Sequence, residues 1–154
     1  MGHNFESYMQ MALLQAQQGL RLNEIPIGAI VVDKDGLVIG EGHNLVETNR
    51  TQTAHAEMLA LAQAAQKTGD WRLQNCTLYS SLEPCAMCMS AAIISRVERV
   101  VFAAKSPIFG YRVDKSIGFT LYNCPIEIHE GVLASDASAL LRTFFEGRRR
   151  SNCD

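Results

Sequence analysis

The chain has 154 residues, 47% of them hydrophobic and 19% charged, with a formal net charge of −2. That balance excludes a disordered chain, and a chain this long buries a core without disulfides or a structural metal. The charge provides no global attraction to nucleic acid or to an anionic membrane, so any such partner needs a local basic patch.

Phe5 to Leu22 is read as an amphipathic helix, with Phe5, Met9, Ala12, Leu13, Ala16 and Leu20 at helical spacing and Asn4 as its cap. Ile27–Val32 and Leu37–Glu41 are β-rich and joined by Asp33-Lys34-Asp35-Gly36, which predicts a hairpin. Ala54 to Lys67 is Ala- and Leu-rich, hence helical, and Gly69 ends it. Trp71, just beyond, is expected in the core.

Thr77 to Leu82 is a strand. Pro84 is then expected in the first turn of a helix that runs to about Ser95. Arg99 to Ala104 is a nearly continuous apolar run, as in a strand covered on both faces. Lys105 to Pro125 has no period and is read as a loop with room for a helical turn. Ile126 to Glu130 is a short strand. Ser135 is expected to cap a last helix with Leu140, Leu141, Phe144 and Phe145 on its apolar face. Asp136 at the start of that helix and Arg148 to Arg150 at its end suit the helix dipole.

The order α-β-β-α-β-α-β-β-α predicts a three-layer α/β/α sandwich around a mixed five-stranded sheet, with the whole of residues 1–154 as one domain. The first two strands should be antiparallel and the later ones parallel through right-handed crossovers. No apolar run approaches the ~18 residues of a membrane span, so no membrane partner is expected. The N-terminus lacks the charged and apolar regions of a signal peptide. Five cysteines, two of them only three apart, suit a reducing cytoplasm better than a disulfide scaffold.

Thr53-Ala54-His55-Ala56-Glu57 opens one predicted helix and Glu83-Pro84-Cys85-Ala86-Met87-Cys88 opens another. Two helix starts can face each other at one end of a sheet, where open α/β sheets place ligands. Cys85 and Cys88 share a helix face, and a helix N-terminus favours thiolate. Two sulfurs and the His55 imidazole suit zinc, one per chain, and leave a fourth tetrahedral position for water. Glu57, two residues past His55, is placed to move protons rather than to bind the metal. His-x-Glu followed by Pro-Cys-x-x-Cys matches the signature of zinc nucleobase deaminases.

Other readings stand beside this one. Cys85 and Cys88 also suit a redox pair, and His43 would complete a closed structural zinc site. Either Asn44 is a turn former or it holds substrate. The Arg148–Arg150 run is either a solvated helix end or an RNA contact. His129 is expected to be structural, and Cys76, Cys124 and Cys153 to have no role.

Several stretches resemble the bacterial tRNA adenosine deaminases of the cytidine-deaminase-like superfamily. They include Glu24-Ile25-Pro26-Ile27-Gly28-Ala29, Gly40-Glu41-Gly42-His43-Asn44, Trp71-Arg72-Leu73, Leu82 through Cys88, and Glu130-Gly131-Val132-Leu133. The resemblance runs from about residue 5 to residue 150. It implies a cytidine-deaminase-like fold and a cytoplasmic homodimer that converts adenosine to inosine at the wobble position of the tRNA anticodon loop. It also implies Glu57 as proton shuttle, Asn44 and the backbone near Ala54 as holders of the base, and Ile25 and Pro26 as pocket lining.

Two places depart from that family. Met89 and Ser90 replace small residues after the second cysteine. Lys105-Ser106-Pro107-Ile108-Phe109-Gly110-Tyr111-Arg112 replaces a Lys-x-Gly-Ala-x-Gly-Ser loop that touches RNA. The second departure favours an alternative substrate, a free purine base or nucleoside such as guanine. A non-catalytic RNA-binding subunit with a structural zinc is a further alternative, but it should lack Glu57.

Overall fold

Alternation along each central strand sends neighbouring side chains to opposite faces, and the protein covers both. The computed structural model describes residues 4–111 and 126–152. Its strands are β1 (Gly28–Val32), β2 (Val38–His43), β3 (Thr77–Leu82), β4 (Arg99–Ala104) and β5 (Glu127–Glu130). They form one sheet in the order β2-β1-β3-β4-β5. β1 runs antiparallel to both β2 and β3, whereas β3, β4 and β5 are mutually parallel.

On one face Ala29, Val31, Leu78 and Val100 pack against α3 (Ala56–Thr68) and α4 (Ala86–Ile94) through Ala60, Leu61, Ala64 and Met89. On the other, Ile30, Val32, Tyr79 and Val101 pack against α1 (Phe5–Arg21) and α5 (Ala134–Ser151) through Met9, Ala12, Leu13 and Ala137. This is the expected three-layer sandwich. No helix of the described residues is long and apolar enough to cross a membrane.

Glycines set how closely the helices approach. A Cβ on Gly28 would lie 2.0 Å from the Ala12 carbonyl oxygen and 2.4 Å from the Ala16 nitrogen, both backbone atoms of α1. A Cβ on Gly40 would lie 2.1 Å from the Ala60 carbonyl oxygen of α3. Backbone cannot yield as a flexible side-chain tip can. Gly28→Ala is therefore expected to destabilise the fold by about 3 kcal/mol, read as a lower urea midpoint at unchanged m-value.

Several local expectations are corrected. α3 begins at Ala56, with His55 as its extended N-cap (φ −70, ψ 149). α4 begins at Ala86 with Cys85 as N-cap (φ −71, ψ 173), so Pro84 lies two residues before the first helical residue rather than in the first turn. Ser135 is not a cap: α5 starts at Ala134 behind Leu133, whose left-handed backbone (φ 56) turns the chain. Phe144 is buried there, but Phe145 points outward.

A short helix, α2 (Val46–Asn49), was not anticipated, because four residues that bury no side chain leave no periodic signal. Trp71 is half-exposed rather than in the core. It sits past the αL cap Gly69, with Arg72 at 4.4 Å and Arg96 at 5.4 Å from its ring. His129 is bonded to Glu127 and packed on the Phe5 ring. Most of the predicted 105–125 loop, with Arg112, Lys115 and Cys124, lies outside the described residues, as does Cys153.

Candidate metal centre

The starts of α3 and α4 meet at one end of the sheet. His55 and Cys85 are the caps of these helices, and Cys88 lies one turn into α4. Their ligand atoms gather tightly: His55 Nδ1 lies 3.6 Å from Cys85 Sγ and 3.5 Å from Cys88 Sγ. All three lie within 4.8 Å of one another, and they are the one such group of His, Cys, Asp or Glu among the described residues. Tetrahedral zinc with ordinary Zn–S and Zn–N bonds places sulfur and nitrogen ligands roughly 3.5 Å apart. The two observed nitrogen–sulfur spacings match that ion.

Protonation supports the same reading. The Cys85 thiol is held down to about 4, chiefly by the hydrogen bond from the Cys88 thiol and further by His55. Cys88 is pushed strongly upward, because its proton serves that bond and its sulfur is buried. His55 is raised by its hydrogen bond with Cys85 and by nearby Glu57. One thiolate is ready to bind metal, while Cys88 must give up its proton, so affinity should weaken in acid. His43 does not complete a closed site. Its Nδ1 meets Gln15 Oε1 at 3.2 Å, away from the ligand group.

Glu57 lies in the first turn of α3 and is 4% exposed. Burial raises its carboxyl above the usual range. One carboxyl oxygen lies 3.6 Å from Cys88 Sγ, which places it beside the ligands. The other meets Ser80 Oγ at 3.1 Å, and that hydroxyl also reaches the Leu82 carbonyl at 2.7 Å. A hydroxyl has one proton, so it cannot donate to both at once. By turning, it can donate to a Glu57 carboxylate or accept from a Glu57 carboxylic acid.

The other predicted residues are placed as follows. Asn44 is buried at the end of β2, and its Oδ1 accepts from Val46 N at 3.3 Å. Its amide nitrogen has no partner among the described residues. The Ala54 N–H donates to the Thr51 carbonyl (3.2 Å) and its carbonyl accepts from Leu45 N (3.0 Å), so only the carbonyl retains a spare lone pair. Pro26 is fully buried, while Ile25 is 36% exposed.

Three site-side residues escaped sequence reasoning: Ser80, Glu83 and Glu24. Two adjacent serines inside a buried strand were the available signal for Ser80. Glu83 is buried, and a Cβ on Gly110 would lie 1.9 Å from its Oε2. Tyr111 N donates to the Pro84 carbonyl at 2.9 Å. Residues 106–111 therefore fold back beside Cys85. Glu24 stood within a stretch noted only for its resemblance to a family.

Residues 3–104 match the cytidine and deoxycytidylate deaminase zinc-binding region. The tRNA-specific adenosine deaminase of Bacillus subtilis (strain 168) is 40% identical over 147 residues, covering 94% of this chain and 91% of that protein. A structure from studies of tRNA:A34 deaminases that edit A to I at the wobble position aligns with a TM-score of 0.81 at 31% identity, over 88% of this chain and 99% of its own. A guanine deaminase from Nitrosomonas europaea aligns equally well, with a TM-score of 0.81 at 31% identity, over 94% of this chain and 85% of its own. With its cytidine-deaminase-like fold, this chain belongs to the zinc-binding cytidine and deoxycytidylate deaminase family and, within it, to the group of the tRNA-specific adenosine deaminases.

Proposed function

We propose that this protein is a zinc-dependent hydrolase that deaminates adenosine to inosine at the wobble position of a tRNA anticodon loop. The observation that carries the chemistry is the three-ligand group at tetrahedral spacing with a buried carboxyl beside it. The relatives support the substrate.

His55, Cys85 and Cys88 hold one zinc per chain. Zinc held by three protein ligands lowers the pKa of water in its open position to about 7, making a nucleophile near neutral pH. Glu57 takes a proton from the attacking water and delivers it to N1 of adenine as C6 becomes tetrahedral. It then carries the remaining hydroxyl proton to the amino group, so that ammonia departs and inosine remains. Ser80 keeps Glu57 aimed at this task. Ser80→Ala is expected to lower kcat roughly tenfold with zinc content and KM unchanged, by steady-state kinetics and metal analysis.

Asn44 donates its amide N–H groups to the base, and the Ala54 carbonyl supplies an acceptor. Ile25 and Pro26 line the pocket. An anticodon-loop base is already unpaired, so flipping it into such a pocket costs little. The exposed arginines Arg142 and Arg148 to Arg150 on α5 supply the local basic patch that the net charge does not. The whole chain acts as one domain in a cytoplasmic homodimer.

A second reading keeps the chemistry and takes a free purine such as guanine. The alignment with the Nitrosomonas europaea guanine deaminase and the divergent 105–112 loop favour it. Ammonia release from an anticodon stem-loop, adenosine, guanine and cytidine, offered in parallel, separates the two. The stem-loop is expected to be deaminated fastest. Its kcat/KM should fall steeply between about 50 and 200 mM salt, whereas turnover of a neutral base should not. Preference for free guanine, with no salt dependence, would sink the tRNA reading.

A further inference from the structure

We propose that Glu24 is the positioning residue of the substrate-reading loop: its buried carboxylate holds α2 at Glu47 and Thr48, next to Val46, whose N–H donates to Asn44 Oδ1 at 3.3 Å, and so sets how the Asn44 side chain is presented. This rests on the reading of Asn44 given under Proposed function.

Glu24 follows the turn that leaves α1, its N–H bonded to the Gly19 carbonyl at 3.0 Å. Its side chain is 1% exposed. Among the described residues its partners are three donors from α2. Thr48 N and Thr48 Oγ1 reach Oε1 at 2.7 and 2.8 Å, and Glu47 N reaches Oε2 at 3.4 Å. A carboxylate accepts only, and buried without a cation it depends on such donors. It is therefore committed to this contact.

The other hydrogen bonds of this loop among the described residues are internal to it or at its ends. Its ends are tied: Asn44 N donates to the Ile27 carbonyl and Leu45 N to the Ala54 carbonyl, each at 3.0 Å. Between those ends α2 buries none of its residues, and 47–53 are exposed. A four-residue helical turn without apolar burial is unstable by itself. The Glu24 carboxylate, rather than core packing, thus holds the middle of the loop. Because Glu24 immediately precedes Ile25 and Pro26, it also joins that pocket wall to the loop bearing Asn44. The ligand group begins beyond the loop's tied end: His55 follows Ala54, whose carbonyl holds Leu45 N, and lies seven residues past Thr48, while Glu57 is on α3.

The clamp should therefore govern binding and not the chemical step. With the zinc-loaded protein and an anticodon stem-loop, Glu24→Ala is expected to raise KM roughly tenfold or more, with kcat within about threefold and zinc content unchanged. Glu24→Gln keeps an oxygen for Thr48 and should restore most of the affinity. Thr48→Val, which removes one of the three bonds, should lie between. A folded, zinc-loaded Glu24→Ala with wild-type KM overturns the proposal, as does a loss confined to kcat. If Glu24→Ala does not fold, wild-type KM in Thr48→Val overturns it. Asn44→Ala, measured alongside, keeps the two ideas separate. Raised KM there with normal Glu24 variants defeats only the clamp, whereas normal KM in Asn44→Ala defeats the underlying reading of Asn44.

Discussion

Glu57→Gln should lower kcat roughly 10³- to 10⁴-fold while the protein keeps its zinc. Glutamine matches the shape of glutamate, and its amide oxygen can still accept from Ser80, so the pocket need not rearrange. It cannot take a proton from water or return one to the ring. Both the attack and the departure of ammonia therefore lose their proton carrier. Single-turnover ammonia release, with metal content measured on the same sample, checks this. A rate within tenfold of wild type would remove Glu57 from the mechanism. The variant also tests the non-catalytic alternative, because a structural zinc protein has no use for a carboxyl buried beside its ligands.

Cys88→Ser should lose both zinc and activity, the latter to background. Cys88 is fully buried, and its sulfur sits at ligand distance from His55. A hydroxyl is a harder and poorer ligand for this borderline-soft ion, and two remaining ligands do not hold it. Cys76→Ser is the matched control. That thiol is also buried, but among the described residues its hydrogen-bond partner is the Gln74 carbonyl at 3.6 Å, so zinc and activity should survive. Elemental analysis after gel filtration, followed by zinc add-back to chelator-treated wild type, reads the difference. Full activity in a zinc-free Cys88→Ser protein would end the metal-centred account.

Much of this site was legible in the chain. His55, Glu57, Cys85 and Cys88 come as two short, ordered motifs, and their chemistry follows from residue type and spacing within one helical turn. The strands were legible too, since Ile30 and Val31, or Val100 and Val101, alternate between two buried faces. The start of α1 at Phe5 behind its Asn4 cap was read correctly, but those of α3, α4 and α5 were misplaced by two residues. His55 and Cys85 cap their helices in extended backbone, with no side-chain capping bond to mark the boundary.

What the sequence determined by itself was therefore local: which segments become helix or strand, and which side chains can share a metal. Only the tertiary structure decided that β3 lies antiparallel to β1 and that the starts of α3 and α4 converge. The same is true of Ser80 beneath Glu57, Glu83 against Gly110, and Glu24 beneath Thr48. These pairs lie 23 to 27 residues apart in the chain, and a serine or glutamate carries no mark of its distant partner. Packing the helices on the two faces of the sheet brings them together, and burial then requires each polar group to find the partner that the fold supplies.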